Sequence, residues 1–466
     1  MPPPDLRSYL ALLDQHHDLA RIAIPVDPLL EIAAITDRVC KRPGGGRALL
    51  FEQPLGARFR VATNLFGSQE RVCQALGMER LDQLTAMLSA LLDEIASPDL
   101  ARLDSQIAAL PAFSRYAPRL AAAPDPHLTP MALPDLTSLP FLHCWPEDGS
   151  AAGCPRYLTL AQVYTVDPDG GTPNCGLYRV QLRGPQELAI QWKPGSGAAR
   201  HAELYRQGGR EMPVAIGLGG NPALLFSALC PLPGTLDEIT FAGFLHGSPM
   251  ETHACRTVPL AVPVGLEIVI EGTVAPGETV LEGPFGNHSG CYAPAAPAAL
   301  LRVSALRHRP DAIIPATLVG PPPMEDCWMA AAWERLLVAL VRRFCPQVTE
   351  IHFPHAWVFH GSAIISLEKP HPGMVREIAG LFWGTPWFSA ARLLVFVASE
   401  DAPADEQRIA WRSINLIEYG HDLIFDPSGT RLALDATGSR GDRRPLPPEH
   451  PAAARVAAQW DRYGDL

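Results

Sequence analysis

The segment Leu281-Glu282-Gly283-Pro284-Phe285-Gly286-Asn287-His288-Ser289-Gly290-Cys291-Tyr292 gathers a carboxyl, an amide and an imidazole around a Gly-Pro turn. A carboxyl in an apolar pocket suits a general acid, because burial disfavours its charged form. Glu282 also fits a plainer reading, an exposed strand-end Glu ahead of Gly283-Pro284. His288 titrates near neutrality and equally suits a solvent-facing turn. Asn287 can donate and accept hydrogen bonds but cannot deliver a proton at neutral pH. Elsewhere, Arg179 follows Tyr178 in a strand-like stretch. Its guanidinium is a planar fork matched to a carboxylate, although spacing alone is as well served by a surface ion pair. Asn174 reads as a turn residue and Glu238 as a helix-surface acid. Both carry hard oxygen donors of the kind Mg2+ and Mn2+ accept.

Three regions must position these groups. Residues 1–120 read as α/β, with helical spacing over Leu6–Leu19, Leu30–Val39 and Leu81–Ile95 and a short strand over Arg47–Glu52. Residues 121–315 are mostly strands: Tyr157–Val166, Leu177–Leu182, Leu188–Trp192, Val214–Leu218, Leu260–Val262 and Leu266–Val274. The turn-rich stretch Asp167–Asn174 predicts an antiparallel connection. His201–Gln207 predicts a helix, and Asn221-Pro222 begins another, with Asn as cap and Pro in the first turn. The Pro- and Ala-rich stretch Ala121–Pro140 reads as a linker. Residues 316–466 alternate again, with helices over Asp326–Phe344, Glu406–Ile417 and Ala452–Trp460 and strands over Ser362–Leu367 and Leu393–Val397. Many strands with a few helices in the middle region suggest a β-barrel. Gly217-Leu218-Gly219-Gly220 lacks full dinucleotide-loop spacing and reads as a strand-to-helix turn. Phe382-Trp383 and Pro386-Trp387-Phe388 read as core rather than pocket lining.

Composition narrows the function classes. The 466 residues carry 38 Lys and Arg against 49 Asp and Glu, a formal charge of −11 with no basic stripe. Nucleic acid and anionic membrane surfaces are therefore poor partners. An acidic substrate would need a local cation to overcome this field. No apolar run reaches the length of a membrane span, and Met1–Arg7 lacks a signal-peptide core. The ten cysteines form no CxxC pair. Together these predict a cytoplasmic protein with reduced thiols.

The Leu281–Tyr292 segment resembles the EGPFG(E/D/N)xxGxY signature of the UbiD-type prenylated-flavin decarboxylases. Asn174-Cys175-Gly176-Leu177-Tyr178-Arg179 resembles the family's NxGxYR cofactor segment, and Gly234-Thr235-Leu236-Asp237-Glu238 its (D/G)TLxE metal segment. Thr63-Asn64-Leu65-Phe66-Gly67-Ser68 and Leu434-Asp435-Ala436-Thr437 resemble terminal family motifs. The matches run in family order over nearly the whole chain, which makes the set far more specific than any one of them. The resemblance implies an N-terminal α/β region, a central split β-barrel that binds flavin, and a C-terminal α/β domain.

It also implies chemistry. Loss of CO2 from an sp2 carbon leaves electrons for which side chains offer no adequate sink, so a cofactor must supply one. The family uses prenylated FMN, made by a flavin prenyltransferase, with Mn2+ or Mg2+ and with K+ as a further candidate ion. The substrate class is a small aromatic, heteroaromatic or α,β-unsaturated carboxylic acid, decarboxylated reversibly. By resemblance Arg179 holds the substrate carboxylate and Glu282 donates the proton. Where the commonest family pattern has a second acid, this chain has Asn287. Either Glu282 protonates alone, or His288 or a water assists. Asn174 and Glu238 would hold the divalent ion on the flavin phosphate. The family's His ligand has no counterpart at its usual place, and His201, a few residues later, either supplies it or caps the following helix. Leu177, Tyr178, Gln191, Trp192, Lys193, Ser196 and Gly197 fall in the flavin-contacting segments. A homodimer or homohexamer is expected. Asn287 leaves room for a second class of function, a flavin-binding paralogue that acts as a non-catalytic binding or assembly subunit.

Overall fold

Apolar alternation along the middle of the chain closes six strands into an antiparallel barrel. In this computed structural model, which describes residues 2–96, 98, 100, 102–230, 232, 236–357, 361–439 and 452–463, the barrel order is Leu266–Glu282, Met212–Gly219, Tyr157–Thr165, Asn174–Gly184, Glu187–Ile190 and Ala296–His308. The last strand pairs back onto the first, which removes both sheet edges. Tyr178, Val180, Ile190, Ile216, Ile268, Ile270 and Leu301 fill the interior. Because strand side chains alternate with period two, Tyr178 and Val180 point inward while Leu177 and Arg179 point out of the barrel.

The strand expected to end at Val274 continues to Glu282. Ala275-Pro276-Gly277 looks like a strand break. Instead, the register with Ala296–His308 shifts between Val274 and Thr279 and then resumes. That bulge, a common means of re-aiming a strand, is what places Glu282 at the strand terminus. The connection between Tyr157–Thr165 and Asn174–Gly184 is antiparallel, as its turn residues predicted.

Ala121–Pro140 is not a linker. Thr129–Pro130 pairs with Arg307 and His308 at the barrel edge, and Leu136 and Leu139 are buried in the barrel core. The Pro content masks three apolar anchors, Leu128, Leu136 and Leu139, all buried. The helix beginning at Leu6 stops at Gln15. His17 turns into the left-handed region and Leu19 begins a strand. That strand joins Ala48–Pro54, Arg60–Thr63 and, from the far side of the barrel sequence, Ile313–Ala316, in a four-stranded mixed sheet.

The third region centres on helix Glu325–Val341, which packs on Asp82–Leu92 and Gln69–Leu76 of the first. A five-stranded sheet, in the order Val348–His352, Ser362–Leu367, Leu393–Ala398, Leu432–Asp435 and Leu423–Phe425, completes it. Phe382 and Phe388 stack at 4.4 Å and are fully buried, with Trp383 and Trp387 beside them. In the Leu434–Thr437 motif, Asp435 accepts hydrogen bonds from the Thr437 backbone N–H and hydroxyl, closing its own turn. Near the C-terminus the helix covers only Ala453–Ala457, followed by a turn of 3-10 helix at Trp460–Arg462. Among the described residues no helix is long and apolar enough to cross a membrane. All ten cysteines are free thiols.

Candidate active site

Arg179 and Glu282 come from strands that are not neighbours in the barrel, and they meet outside its wall. Arg179 Nε lies 2.8 Å from Glu282 Oε1, and Nη2 lies 2.7 Å from Oε2, a two-pronged charge-assisted pair. The Glu282 side chain is 0% exposed and that of Arg179 22%. Glu282 is thus neither an exposed strand-end residue nor a lone carboxyl in an apolar pocket. Its charge is matched by the guanidinium. The pair occupies the Nε–Nη2 edge of Arg179.

Aromatic groups surround the pair. The Arg179 guanidinium sits 5.1 Å from the Phe285 ring centre, and Phe285 packs edge-on against Tyr157 at 4.9 Å. Tyr157 is fully buried. Burial first, and then the neighbouring Glu282 and Asp148 charges, push its phenol well above the ordinary value, so it stays protonated beside Glu282. In the sequence Tyr157 is only the start of a strand. Its place opposite Gln181, with Arg179 two residues earlier on the same face, follows from strand register and leaves no mark in residue types.

The Glu282–Tyr292 loop is braced from outside the barrel. Phe285–Gly286 pairs with Tyr292–Ala293 as a short hairpin. Asp148 accepts the Gly286 N–H at 2.7 Å and the Trp145 N–H at 2.9 Å, and the Gly149 N–H donates to Pro284 O at 2.8 Å. Trp145 lies so close over Gly286 that a Cβ there would stand 2.1 Å from its ring. Glycine is required at 286 for that contact.

Asn287 and His288 follow. The Asn287 side-chain oxygen accepts the His288 backbone N–H at 2.8 Å, and its backbone closes the turn with Cys291 and Gly290. The amide is therefore engaged with its own loop. His288 Nδ1 lies 2.8 Å from Asp326 Oδ2. Asp326 stands in the first turn of helix Glu325–Val341, and its neighbour Glu325 accepts the Phe66 N–H at 3.1 Å. Asp326 was not anticipated. It appeared in the sequence only as the start of a predicted helix.

The residues expected to hold phosphate and metal cluster at the start of strand Asn174–Gly184. Glu238 opens helix Glu238–His246 and accepts the Cys175 N–H at 2.9 Å. Burial pushes its carboxyl up to about 7. Gly234 and Thr235 of the same motif lie outside the described residues. The Tyr178 hydroxyl faces Ser196, the Ala198 N–H and Asn174, and burial raises its pKa. Helix Gly197–Gln207 begins four residues before His201, capped by Ser196, which accepts the Ala199 N–H. His201 therefore does not cap it. His201 is 0% exposed, Nδ1 lies 2.9 Å from Thr165 Oγ1, and burial lowers its pKa, keeping the ring neutral. Thr165 is the cross-strand partner of Asn174, so His201 and Asn174 approach one another through it. Trp192 packs edge-on against Tyr178 at 5.4 Å. Lys193 is exposed, and its carbonyl accepts the Ser196 N–H. Leu177 leans away from the barrel onto the large helical core.

These residues fit a flavin phosphate with its cation. Asn174 Nδ2, Gln191 Oε1 and His201 Nε2 are buried polar atoms without partners, and such groups are costly unless something completes them. A Cβ on Gly197 would stand 2.1 Å from Asn174 Oδ1, so glycine keeps the helix N-terminus open to the strand. Among the described residues no three His, Cys, Asp or Glu side chains gather to hold a metal by themselves. A phosphate would have to complete the coordination.

Three family profiles cover the chain, all described as 3-octaprenyl-4-hydroxybenzoate carboxy-lyase domains: N-terminal over residues 10–91, Rift-related over 124–322 and C-terminal over 327–449. An uncharacterized protein of Aquifex aeolicus is 35% identical over 494 residues, covering 99% of this chain and 98% of its own. One from Archaeoglobus fulgidus is 33% identical over 433 residues, with 92% and 88% coverage. Among solved structures, an evolved dimeric form of the UbiD-class enzyme HmfF from Pelotomaculum thermopropionicum, in complex with prFMN, superposes with a TM-score of 0.80 at 26% identity, covering 98% of this chain and 99% of that one. The closed form of Sedimentibacter hydroxybenzoicus vanillic acid decarboxylase shares the fold, with a TM-score of 0.83 at 23% identity and 99% and 98% coverage. With its three regions matched in order and its barrel closed, the chain belongs to the UbiD family.

Proposed function

We propose that the protein removes CO2 from a small aromatic, heteroaromatic or α,β-unsaturated carboxylic acid, reversibly, with prenylated FMN as its cofactor. The pairing of Arg179 with the fully buried Glu282 carries this reading. A cation able to meet an acid and a carboxyl able to move a proton are in contact, and the cation lies on the same strand as Asn174. When bound, prenylated FMN supplies the electron sink that side chains lack.

The chain's own residues do the rest. Asn174, Glu238 and His201 would hold a divalent Mn2+ or Mg2+ together with the flavin phosphate, and Tyr178, Gln191, Trp192, Ser196 and Gly197 would shape the cofactor seat. Arg179 turns its fork toward the substrate carboxylate and orients it. As it does so, Glu282 loses its counter-charge, takes up a proton and delivers it to the carbon that CO2 has left. Tyr157 and Phe285 exclude water from this exchange. Asn287 donates no proton and holds the loop turn.

The test is expression with a flavin prenyltransferase, followed by deuterium incorporation into candidate aromatic products in D2O. Exchange together with CO2 release supports the reading. Tight cofactor binding with neither, across a broad panel of acids, favours a non-catalytic flavin-binding subunit. An amide at position 287 in place of an acid, held by its own loop, is the observation on that side.

A further inference from the structure

Two glycines near the active-site loop are glycine for the same reason. Neither Gly286 nor Gly320 has a left-handed backbone, so neither needs glycine's conformational freedom. Each faces the Trp145 indole instead. A Cβ on Gly286 would stand 2.1 Å from Trp145 Cδ1, and one on Gly320 would stand 2.4 Å from Cζ2. The indole is wedged between two segments, and its Nε1 donates to Val319 O at 2.7 Å, fixing the ring against the second. Gly286 belongs to the loop that follows Glu282. Gly320 belongs to the connector that leaves strand Ile313–Ala316 and enters helix Glu325–Val341.

The turn that carries Trp145 grips the loop at three further points. The Gly149 N–H donates to Pro284 O at 2.8 Å. Asp148, 1% exposed, accepts the Gly286 N–H at 2.7 Å. The Tyr292 hydroxyl accepts the Glu147 N–H at 3.1 Å. Pro284 lies two residues from Glu282. Between Pro284 and Gly286 stands Phe285, whose ring centre is 5.1 Å from the Arg179 guanidinium. The gripped segment thus meets the Arg179–Glu282 pair directly. A second tie, His288 Nδ1 to Asp326 Oδ2 at 2.8 Å, joins the same loop to the first turn of the helix that the connector enters.

We propose that Trp145 is a positioning residue for Glu282: it locks the Glu282 loop to the connector into the third region, so that the aim of the carboxyl depends on where that connector lies. Trp145 acts through Pro284 and Phe285. This role rests on the decarboxylase reading.

The experiment uses G320A, W145F and the double variant W145F/G320A. G320A sets one methyl against the outer indole ring, and Phe, which lacks that ring, makes room for it. In the protein without cofactor, selective 15N-arginine labelling reports the Arg179 Nε–H, which donates to Glu282 Oε1. Its signal is assigned by its loss in R179K. G320A shifts that signal, and the double variant returns it toward the wild-type position. In the loaded enzyme G320A lowers kcat on the order of 10- to 100-fold, with KM and cofactor uptake unchanged. The double variant is faster than G320A alone, the non-additivity expected of groups in contact. If G320A does not fold, W145F carries the test, because it frees the loop from Val319 and Gly320 and shifts the same signal with a loss of kcat. A purely structural role lowers the melting midpoint and leaves both the Arg179 signal and the kcat of the loaded protein unmoved. That result, beside an inactive E282Q, overturns the positioning role and leaves the decarboxylase standing. A loaded wild-type protein that neither exchanges nor releases CO2 overturns both.

Discussion

Replacing Glu282 by Gln is the sharpest test of the site. The side chain is isosteric, keeps one oxygen to accept from Arg179, and cannot carry a proton. Two bonds between opposite charges, at 2.8 and 2.7 Å, become one bond from the guanidinium to a neutral amide oxygen. Removing one partner of a fully buried ion pair costs about 3–5 kcal/mol. Arg179 retains 22% exposure and the amide oxygen remains, so about 1–3 kcal/mol is expected here. The chemical effect is separate and larger. General acid catalysis contributes about 100- to 10,000-fold, or roughly 3–5 kcal/mol of barrier. Purified E282Q should therefore bind cofactor with the wild-type flavin spectrum, melt a few degrees lower, and show no deuterium exchange above background. Exchange at the wild-type rate with cofactor bound would remove Glu282 from the chemistry and reduce the pair to scaffolding. Wild-type stability would instead show that the pair is not held as described.

Arg179→Lys keeps the charge and loses the fork. KM for an acid substrate should rise at least tenfold while melting changes little, and steady-state kinetics decide it. Glu238→Gln should abolish stabilisation of the purified protein by Mn2+, read as a lost thermal shift in the presence of phosphate. Equal shifts in both proteins would take Glu238 out of the metal site. Glu325 gives a pH test. Burial raises its carboxyl from 4.5 to about 7, so the folded state holds that proton more tightly than the unfolded chain. Its stabilisation is complete below about pH 4.5 and is lost as pH rises to about 7, up to about 3 kcal/mol. Glu325→Gln keeps the acceptor for Phe66 and should remove that slope from the difference between urea melts at pH 5 and pH 8. Gly286→Ala should disorder the loop under Trp145 and cost activity, read as quenching or release of Trp fluorescence together with lost turnover. Unchanged fluorescence would refute the steric argument.

Much of the architecture was legible in the chain because it depends on local pattern. Period-two alternation marked the barrel strands, turn residues at 167–174 made their connection antiparallel, and Asn221-Pro222 capped a helix where expected. Arg179, Glu282, Asn174 and Glu238 stood out only through the resemblance of their segments to the family's motifs, since spacing alone served a plainer reading of each. Other features were invisible for a physical reason. The strand to Glu282 looked broken at Ala275-Pro276-Gly277, since a bulge is a property of two paired strands and not of one sequence. Ile313–Ala316 entered the first region's sheet from beyond the barrel. The pairing of Arg179 with Glu282, the burial of His201, and the grip of Asp326 on His288 all join groups far apart along the chain or on separate elements. Periodicity tells a residue which way to face within its own element. Which charge stands opposite it, and whether water reaches either, is decided when the elements pack, because desolvation and Coulomb attraction act across space rather than along the backbone.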